Sequence, residues 1–197
     1  MLLNFNHEQP LYIFGDAAPA QELKNFIQNE TKCEINLLSH KQFKNVGSGS
    51  QCMIGFQNGL YRNNLLQGIS MNDFIWPTFI HSKAHVENIN RVGKGCVILN
   101  FAHIGFNATV ADFCYISTGC QLSHASQIGK NCMLAPGVII GGSTCFGENI
   151  WVGLNSTFSD KLSICSDTVF AMTSVVNKSI TKSGSYYGNR KIKSFLN

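Results

Sequence analysis

Large apolar residues recur at every sixth position along the middle and C-terminal parts of the chain. The register runs without a break, and small, polar or glycine residues fill most of the positions in between. A period of six is neither the 3.6 of an α-helix nor the 2 of a simple strand, so the pattern indicates a repeat architecture. The repeating positions are Ile80, Val86, Val92, Ile98, Ile104, Val110, Ile116, Leu122, Ile128, Leu134, Ile140, Phe146, Val152, Phe158, Ile164, Phe170 and Val176.

A second position of the repeat, four residues after each large apolar residue, is mostly small. Cysteine behaves as a small buried hydrophobe, so the four cysteines found there are predicted to pack in a core rather than to bind metal or act in redox chemistry. The small positions are Ala84, Cys96, Ala102, Ala108, Cys114, Cys120, Ser126, Cys132, Thr144, Ser156, Thr168 and Ser174.

One inward aliphatic and one inward small residue in every six predict a hexapeptide β-helix, in which three hexads form one triangular coil of about 18 residues. The repeat predicts a little over five coils, and its unbroken register predicts no long loop between Ile80 and Val176. Ligands must therefore be held by the faces, by the N-terminal part or by a neighbouring subunit. Glycine often follows the large apolar residue, and we expect it to supply the positive φ of a corner. These glycines are Gly93, Gly105, Gly129, Gly141, Gly147 and Gly153.

The N-terminal segment predicts a small α/β domain with a parallel sheet. Strands are expected at 11–14, 32–38 and 51–56, and helices at 20–29 and 61–66. Such sheets bind ligands at the carboxyl ends of their strands, which makes Gly15, Asp16 and Gly55 candidates for binding an acceptor substrate. The alternative is a domain that serves only packing and oligomerisation.

The expected domains are an α/β domain over 1–78, a β-helix over 79–180 and a basic tail over 181–197 that leaves the prism. The formal charge of the chain is +4, yet residues 1–177 carry a net charge of −1. The last twenty residues hold five basic side chains and no acid, which suits the phosphates of a small ligand or a solvated tail. Nucleic-acid binding would require a broader basic face and is not expected.

The composition excludes several classes of protein. Hydrophobic residues make up 44% of the 197 residues and charged residues 13%, the reverse of a disordered chain. No apolar run is long enough to span a membrane, and the N-terminus lacks the pattern of a signal peptide, so we expect a cytoplasmic protein. The eight cysteines form no C-x-x-C pair, and we expect reduced thiols rather than a zinc ribbon or a redox pair.

Residues 122–153, LSHASQIGKNCMLAPGVIIGGSTCFGENIWVG, resemble the hexapeptide-repeat acetyltransferases that modify bacterial sugars. Within them, the chain is similar to the subgroup of sialic acid O-acetyltransferases and UDP-4-amino-sugar N-acetyltransferases. Three further stretches share the resemblance: FIHSKAHV at 79–86, GFQNGLYRNNLL at 55–66 and YGNRKIK at 187–193. The resemblance implies a left-handed parallel β-helix, a homotrimer, and acetyl-CoA bound between adjacent prisms.

The resemblance also implies a general base, a histidine followed by Asp or Glu. His124 stands at that place, but Ala125 replaces the acidic neighbour. A histidine suits the transfer of an acetyl group from a thioester to an amine or hydroxyl, because the acceptor must lose a proton near neutral pH. The alternative for His124 is a surface or interface side chain. The similar stretch at 55–66 adds Arg62 to the candidates for acceptor binding.

A spacing of one coil, 18 residues, suggests further residues that contact the acetyl donor, acetyl-CoA. Gly142 lies 18 residues beyond His124, and its N–H is expected to face the thioester oxygen. Met133 and Trp151, also 18 apart, are candidates for an apolar wall beside the pantetheine arm, or else for ordinary packing. The basic candidates for contact with the CoA phosphates are Lys178, Lys182, Arg190 and Lys191.

The sequence therefore predicts an acetyl-CoA-dependent acetyltransferase that acts on the 4-amino group of a nucleotide-linked deoxyamino sugar, without a metal. O-acetylation of sialic acid or a related sugar is the second possibility, and a non-catalytic scaffold or ligand-binding subunit is a third. His85 and His103 lie one coil apart, which raises a zinc-dependent carbonic anhydrase as a weaker alternative, but no third ligand is evident.

Overall fold

The structure is a computed structural model that describes residues 1–15, 17–39, 42, 45–55, 59–68 and 70–193. The chain divides into two compact units, Met1–Ser82 and Lys83–Asn197. Each unit is described by itself below. The helices described are too short or too polar to span a membrane.

The N-terminal unit contains a parallel sheet of three strands and two helices. Its order along the chain is β1 (Leu2–Leu3), β2 (Leu11–Phe14), α1 (Ala18–Glu30), β3 (Ile35–Leu38), β4 (Gln51–Ile54), α2 (Gly59–Gly68) and β5 (Thr78–Ile80). Strand β2 lies between β3 and β4 and is parallel to both, while β1 pairs with β5 in antiparallel fashion. The predicted small α/β domain with a parallel sheet is confirmed.

The elements of this unit follow from its apolar pattern. Leu11, Ile13 and Phe14 of the central strand are fully buried, and so are Leu23 and Ile27 on the inner face of α1. Pro19 lies in the first turn of α1, where its missing N–H removes no hydrogen bond. The helix ends at Glu30, and the next residue, Thr31, caps it: its N–H and hydroxyl both donate to the carbonyl of Ile27.

The C-terminal unit is a parallel β-solenoid of very short strands. A 3₁₀ turn, Ile89–Arg91, takes the place of one strand in the first coil. The strands are β6 (His85–Val86), β7 (Val97–Ile98), β8 (His103–Ile104), β9 (Thr109–Val110), β10 (Tyr115–Ile116), β11 (Gln121–Leu122), β12 (Gln127–Ile128), β13 (Met133–Leu134), β14 (Ile139–Ile140), β15 (Cys145–Phe146), β16 (Trp151–Val152), β17 (Thr157–Phe158), β18 (Ser163–Ile164), β19 (Thr168–Phe170), β20 (Val175–Val176), β21 (Gly184–Tyr187) and β22 (Arg190–Ile192).

Three sheets form the faces of the prism. The first face is β7-β10-β13-β16-β19-β21-β22, the second is β6-β8-β11-β14-β17-β20, and the third is β9-β12-β15-β18. Each strand from β6 to β17 pairs with the strand 18 residues later, as in Leu122 with Ile140 and Met133 with Trp151. The predicted coil of three hexads is confirmed, and no long insertion interrupts it.

The core of the prism is built from the two positions that the sequence singled out. From Ile98 to Val176 every sixth residue is buried, while Val86 and Val92 in the first coil are half-buried. The small residues Cys96, Cys114 and Cys132 are fully buried and form one column. Cys120 is fully buried as well, so all four cysteines at the small position pack in the core as predicted.

The corners correct one expectation. Positive φ angles occur three residues after the large apolar residue, and most are adopted by residues other than glycine, such as Phe101, Ala125 and Asn131. The glycines that directly follow the apolar residue are required for space instead. A Cβ on Gly129 would lie 2.1 Å from the carbonyl oxygen of Gly147, because the backbone of the next coil passes there.

The C-terminal segment corrects a second expectation, since it does not leave the prism as a tail. Strand β21 extends the first face by pairing parallel to β19, and β22 folds back on β21 as an antiparallel partner. Tyr186 is buried, its ring lies 5.8 Å from that of Phe170, and its hydroxyl donates to the carbonyl of Lys182. These contacts cover the last apolar layer of the solenoid.

Candidate functional site

His124 lies at the corner between the second and third faces, two residues beyond the end of β11. Its side chain is exposed, while Leu122 and Ser126 on either side are fully buried and fix the backbone. The 18-residue coil places a column of side chains along this corner, which we call the His124 column. Its members are Asn88, Phe106, His124, Gly142, Asp160 and Lys178.

The imidazole of His124 lies against Gly142, one coil further on. A Cβ at Gly142 would be 2.5 Å from both Cε1 and Nε2 of the ring and 3.0 Å from Nδ1. Only glycine leaves room for this ring position. The predicted proximity of Gly142 to His124 is therefore present, but the missing side chain makes space for the imidazole.

The role expected for the N–H of Gly142 is not supported. This N–H donates to Oδ1 of Asp160 at 3.0 Å, so it is already engaged within the chain. The expected partner of this N–H, a thioester oxygen, would have to compete with that carboxylate. In other coils the same backbone position behaves alike, since the N–H of Lys94 donates to Asp112 and that of Glu148 to Ser166.

Neither ring nitrogen of His124 has a hydrogen-bond partner among the residues that the structure describes. Ala125 has a φ of 55° and carries no group that can orient the ring. The imidazole is thus held by contact with Gly142 and presents its nitrogens to solvent. Such a group can accept a proton from a bound molecule.

Met133 and Trp151 are neighbours in register, but they lie on the first face, which does not border the His124 corner. Met133 is nine residues, or half a coil, from His124, and this spacing puts the two on opposite sides of the prism. Met133 is buried and Trp151 half-buried. Within one chain they pack with the first face, and a wall beside the donor at His124 would require a second copy.

The basic residues predicted to contact the CoA phosphates also lie in different parts of the prism. Lys178 belongs to the His124 column, whereas Arg190 and Lys191 lie in β22 at the edge of the first face. Lys191 donates from Nζ to the carbonyl of Ser183, and Lys182 lies in the segment before β21. Lys178, Lys182, Arg190 and Lys191 are all exposed.

The acceptor candidates of the N-terminal unit lie at the predicted ends of strands. Gly15 follows β2 and donates to the carbonyl of Leu38, while Gly55 follows β4 and donates to that of Phe14. A Cβ on Gly55 would lie 2.7 Å from that of Ala20, so this glycine is required for packing of α1. Arg62 on α2 is only 1% exposed. Asp16 lies outside the described residues.

The column of histidines on the second face is present. The rings of His85 and His103 are stacked at 4.9 Å with an interplanar angle of 9°, and Gln121 follows in register. Nε2 of His85 lies 3.4 Å from a carboxylate oxygen of Glu87. Across the described ranges, no three His, Cys, Asp or Glu side chains are placed to hold a metal ion.

Three members of the His124 column were not predicted as site residues: Asn88, Phe106 and Asp160. Phe106 is 65% exposed one coil before His124, and Asp160 is exposed two coils after it. The signal for all three was in the sequence, since adding or subtracting multiples of 18 from 124 reaches 88, 106 and 160. Without the geometry of the corner, however, nothing in the sequence distinguished the His124 column from the other columns that an 18-residue period generates.

The sequence matches no protein-family model and no curated protein sequence. Solved structures, in contrast, are similar over nearly the whole chain. A variant of perosamine N-acetyltransferase from Caulobacter crescentus, in complex with CoA and GDP-perosamine, superposes with a TM-score of 0.80 at 17% identity, covering 89% of this chain and 92% of that one.

Two further structures are similar. The acetyltransferase domain of PglB from Neisseria gonorrhoeae, in complex with acetyl coenzyme A, gives a TM-score of 0.77 at 17% identity over 90% of this chain and 95% of that one. WeeI from Acinetobacter baumannii gives 0.55 at 13% identity over 92% and 97%. The likeness confirms the fold class predicted from the sequence, a left-handed parallel β-helix with a small N-terminal α/β domain.

Proposed function

We propose that this protein is an acetyl-CoA-dependent sugar acetyltransferase with His124 as its general base. The observation that carries the proposal is the exposed imidazole, which lies against Gly142 with both nitrogens open. The fold supports it, because perosamine N-acetyltransferase from Caulobacter crescentus has the same architecture and was solved with CoA and GDP-perosamine. The acceptor that we propose is the 4-amino group of a nucleotide-linked deoxyamino sugar.

The chemistry assigned to His124 is removal of one proton. As the acceptor nitrogen attacks the thioester carbonyl carbon, its proton passes to a ring nitrogen of His124. A C–N bond forms, the C–S bond breaks, and the CoA thiolate leaves and takes up a proton. Because the attacking amine and the thioester are both substrates, no covalent intermediate on a cysteine is needed. Six of the eight thiols are buried, and burial raises the pKa of Cys120 to about 12.

We propose that acetyl-CoA binds between copies of a homotrimer. The His124 corner offers Gly142 and Lys178, whereas Met133, Trp151, Arg190 and Lys191 belong to the first face or its edge. A neighbouring copy can present its first face at this corner, which would bring both sets to one donor molecule. Lys182, just before β21, is assigned to the same phosphate-binding group.

For the acceptor nucleotide, the candidates remain Gly15, Asp16, Gly55 and Arg62 of the N-terminal unit. Gly15 and Gly55 follow parallel strands at their carboxyl ends, where α/β sheets commonly bind ligands. Arg62 supplies a guanidinium suited to phosphate recognition. It is only 1% exposed, so binding would require it to become accessible.

The test is a transfer assay read by mass spectrometry. Purified protein and acetyl-CoA are incubated with UDP- and dTDP-linked 4-amino sugars and with free and CMP-linked sialic acids. We expect one acetyl group to be added to an amino sugar, and His124→Ala to lower kcat by about 10² to 10⁴ because the base is lost.

His103→Ala is the matched control, since it removes a histidine from the same prism outside the His124 column. It should leave kcat unchanged. Undiminished turnover by His124→Ala would remove His124 from the mechanism. Transfer only to sialic acids would favour O-acetylation, and acetyl-CoA binding without any transfer would favour a non-catalytic ligand-binding subunit.

A further inference from the structure

The His124 column contains a carboxylate that the sequence did not single out. We propose that Asp160 is a positioning residue for His124, supplying from two coils away the negative charge that Ala125 does not provide. This inference rests on the proposed role of His124 as the base and adds a second residue to it. It concerns this chain's own substitution of alanine for an acidic neighbour.

Gly142 joins the two side chains. The imidazole of His124 lies against one side of this glycine, with Nε2 2.5 Å from the place where a Cβ would stand. The carboxylate of Asp160 approaches from the next coil and accepts the N–H of Gly142 at 3.0 Å. The same carboxylate oxygen occupies the space left by Gly141, lying 2.3 Å from where its Cβ would be. Two adjacent glycines thus admit both groups to one corner.

These contacts limit the separation of the two charges. Both groups contact Gly142, so the two contact distances and the bonds between the Cβ position and N of that residue together set an upper limit. Nε2 of His124 therefore lies within about 8 Å of Oδ1 of Asp160. At that distance, a unit negative charge attracts a unit positive charge with an energy that depends on the dielectric constant. For values between those of water and a protein surface, this attraction changes the rate of a step that creates the positive charge by a factor of about 2 to 30. The imidazole becomes positive when it takes the acceptor proton, so the charge of Asp160 acts on that step.

The carboxylate is not neutralised by a neighbouring base. Among the described residues Asp160 has no ion-pair partner within 4 Å. The charged side chains nearest along the corner are Lys161, which follows it in the chain, and Lys178, which is one coil further on; both are exposed. The N–H of Lys161 donates to the carbonyl of Gly142, so the backbone of this coil is held firmly under the glycine.

Asp160→Asn isolates the charge, because the amide oxygen can still accept the N–H of Gly142. We expect kcat to fall by about 2-fold to 30-fold, with a change of less than about 2-fold in KM for acetyl-CoA. The difference from the unmodified protein should shrink in 1 M salt, which screens charges over about 3 Å. Adding Ala125→Asp to Asp160→Asn should restore part of kcat, since aspartate tolerates the left-handed backbone there.

Asp112→Asn is the matched control. Asp112 makes the same contacts at another corner, accepting the N–H of Lys94 at 3.0 Å and filling the space beside Gly93 at 2.3 Å. It has no histidine next to it in its column. We expect Asp112→Asn to leave kcat unchanged. An equal loss in both variants would show that only the corner geometry matters and would overturn the proposal.

A second readout does not depend on the acceptor. Diethyl pyrocarbonate acylates an imidazole nitrogen, and positive charge develops on the ring as the new bond forms. Because the carboxylate of Asp160 favours that charge, Asp160→Asn should lower the rate of modification of His124 at pH 8.5 by about 2-fold or more, measured by peptide mass spectrometry with His103 as reference. Unchanged kcat and unchanged modification would overturn the proposal. If no sugar is acetylated at all, the proposed function fails, and the modification rate alone decides whether Asp160 acts on His124.

Discussion

Glycines one or two positions after a large apolar residue of the repeat act through the space they leave rather than through their backbone angles. Gly129 and Gly153 each face the backbone of the next coil, and Gly142 faces the imidazole of His124. Left-handed angles are carried instead by residues such as Ala125, Asn131 and Asn155. For a residue with a Cβ other than asparagine or aspartate, such an angle costs roughly 1–2 kcal/mol, which the regular stacking of coils must offset.

Gly129→Ala should destabilise the C-terminal unit more than Gly119→Ala. The first Cβ would lie 2.1 Å from a backbone oxygen, so a coil must shift, at a cost of about 3 kcal/mol. The second would meet no atom within 4 Å and adds only the strain of a φ of +71°, about 1 kcal/mol. Urea unfolding of both variants measures the difference, and equal losses would contradict the spatial role of Gly129.

At the scale of elements, strands of two residues are stabilised by side chains at the small position of the repeat. The thiol of Cys114 donates to the carbonyl of Gly129 at 3.0 Å, and the hydroxyl of Ser156 donates to that of Ala171 at 3.1 Å. Burial raises the pKa of Cys96 and Cys132 well above the ordinary value, so their thiols keep the proton they donate. Each coil is thus tied to the next inside the core as well as along the faces.

In the N-terminal unit, Glu30 ties the end of α1 to the N-terminus and to the two residues that follow β5. Its carboxylate accepts the N–H of Ser82 at 2.7 Å and lies 3.0 Å from the amine of Met1 and 3.2 Å from Nδ1 of His81. Burial raises the pKa of Glu30, but the hydrogen bonds to Ser82 and the positive amine outweigh it and lower the pKa below its usual 4.5.

Glu30→Gln should lower the stability of this unit by about 1 kcal/mol at pH 7. Because the folded pKa is depressed, the contribution of Glu30 is present above pH 4.5 and is lost as the pH falls through the folded value. Urea unfolding at pH 7 and pH 3 should show a difference only at the higher pH. Glu34→Gln, at an exposed residue just before β3, is the control and should change little. A loss that persists at pH 3 would show that the carboxylate charge is not the cause.

At the scale of the whole molecule, the prism leaves apolar side chains exposed in one region. Leu154 and Met172 stack one coil apart at the corner between the first and second faces, and Ile139 and Val175 project from the second face. All four are at least 44% exposed. An exposed apolar cluster of this kind suits contact with another protein surface, in keeping with the proposed homotrimer.

Sedimentation should give a mass three times that of the 21.7 kDa chain. Met172→Glu is expected to lower this mass toward the monomer and to lower kcat, because it buries a charge in the proposed contact. Ser163→Glu, on the exposed third face, should change neither. A monomeric mass for the unmodified protein would contradict the proposed assembly and the binding of acetyl-CoA between copies.

Much of the fold was determined by the sequence alone. A six-residue period is a local property, because each hexad has only to bury one large and one small side chain. Ile116 and Leu122 are two such large side chains, six residues apart. The period of 18 then follows, and with it the closeness of His124 to Gly142. The strands and helices of the N-terminal unit were also predictable, because Leu11, Ile13 and Leu23 follow ordinary strand and helix patterns.

Only the tertiary structure decided what those columns do. Whether Gly142 offers its N–H to a ligand depends on Asp160, which is distant in sequence and reaches it through stacking of coils. Whether Met133 faces His124 depends on which side of a triangular coil each occupies, and half a coil separates them. The period states which residues repeat, whereas contacts between coils and the orientation of corners arise from packing in three dimensions. These contacts placed Asp160 beside the glycine that supports His124.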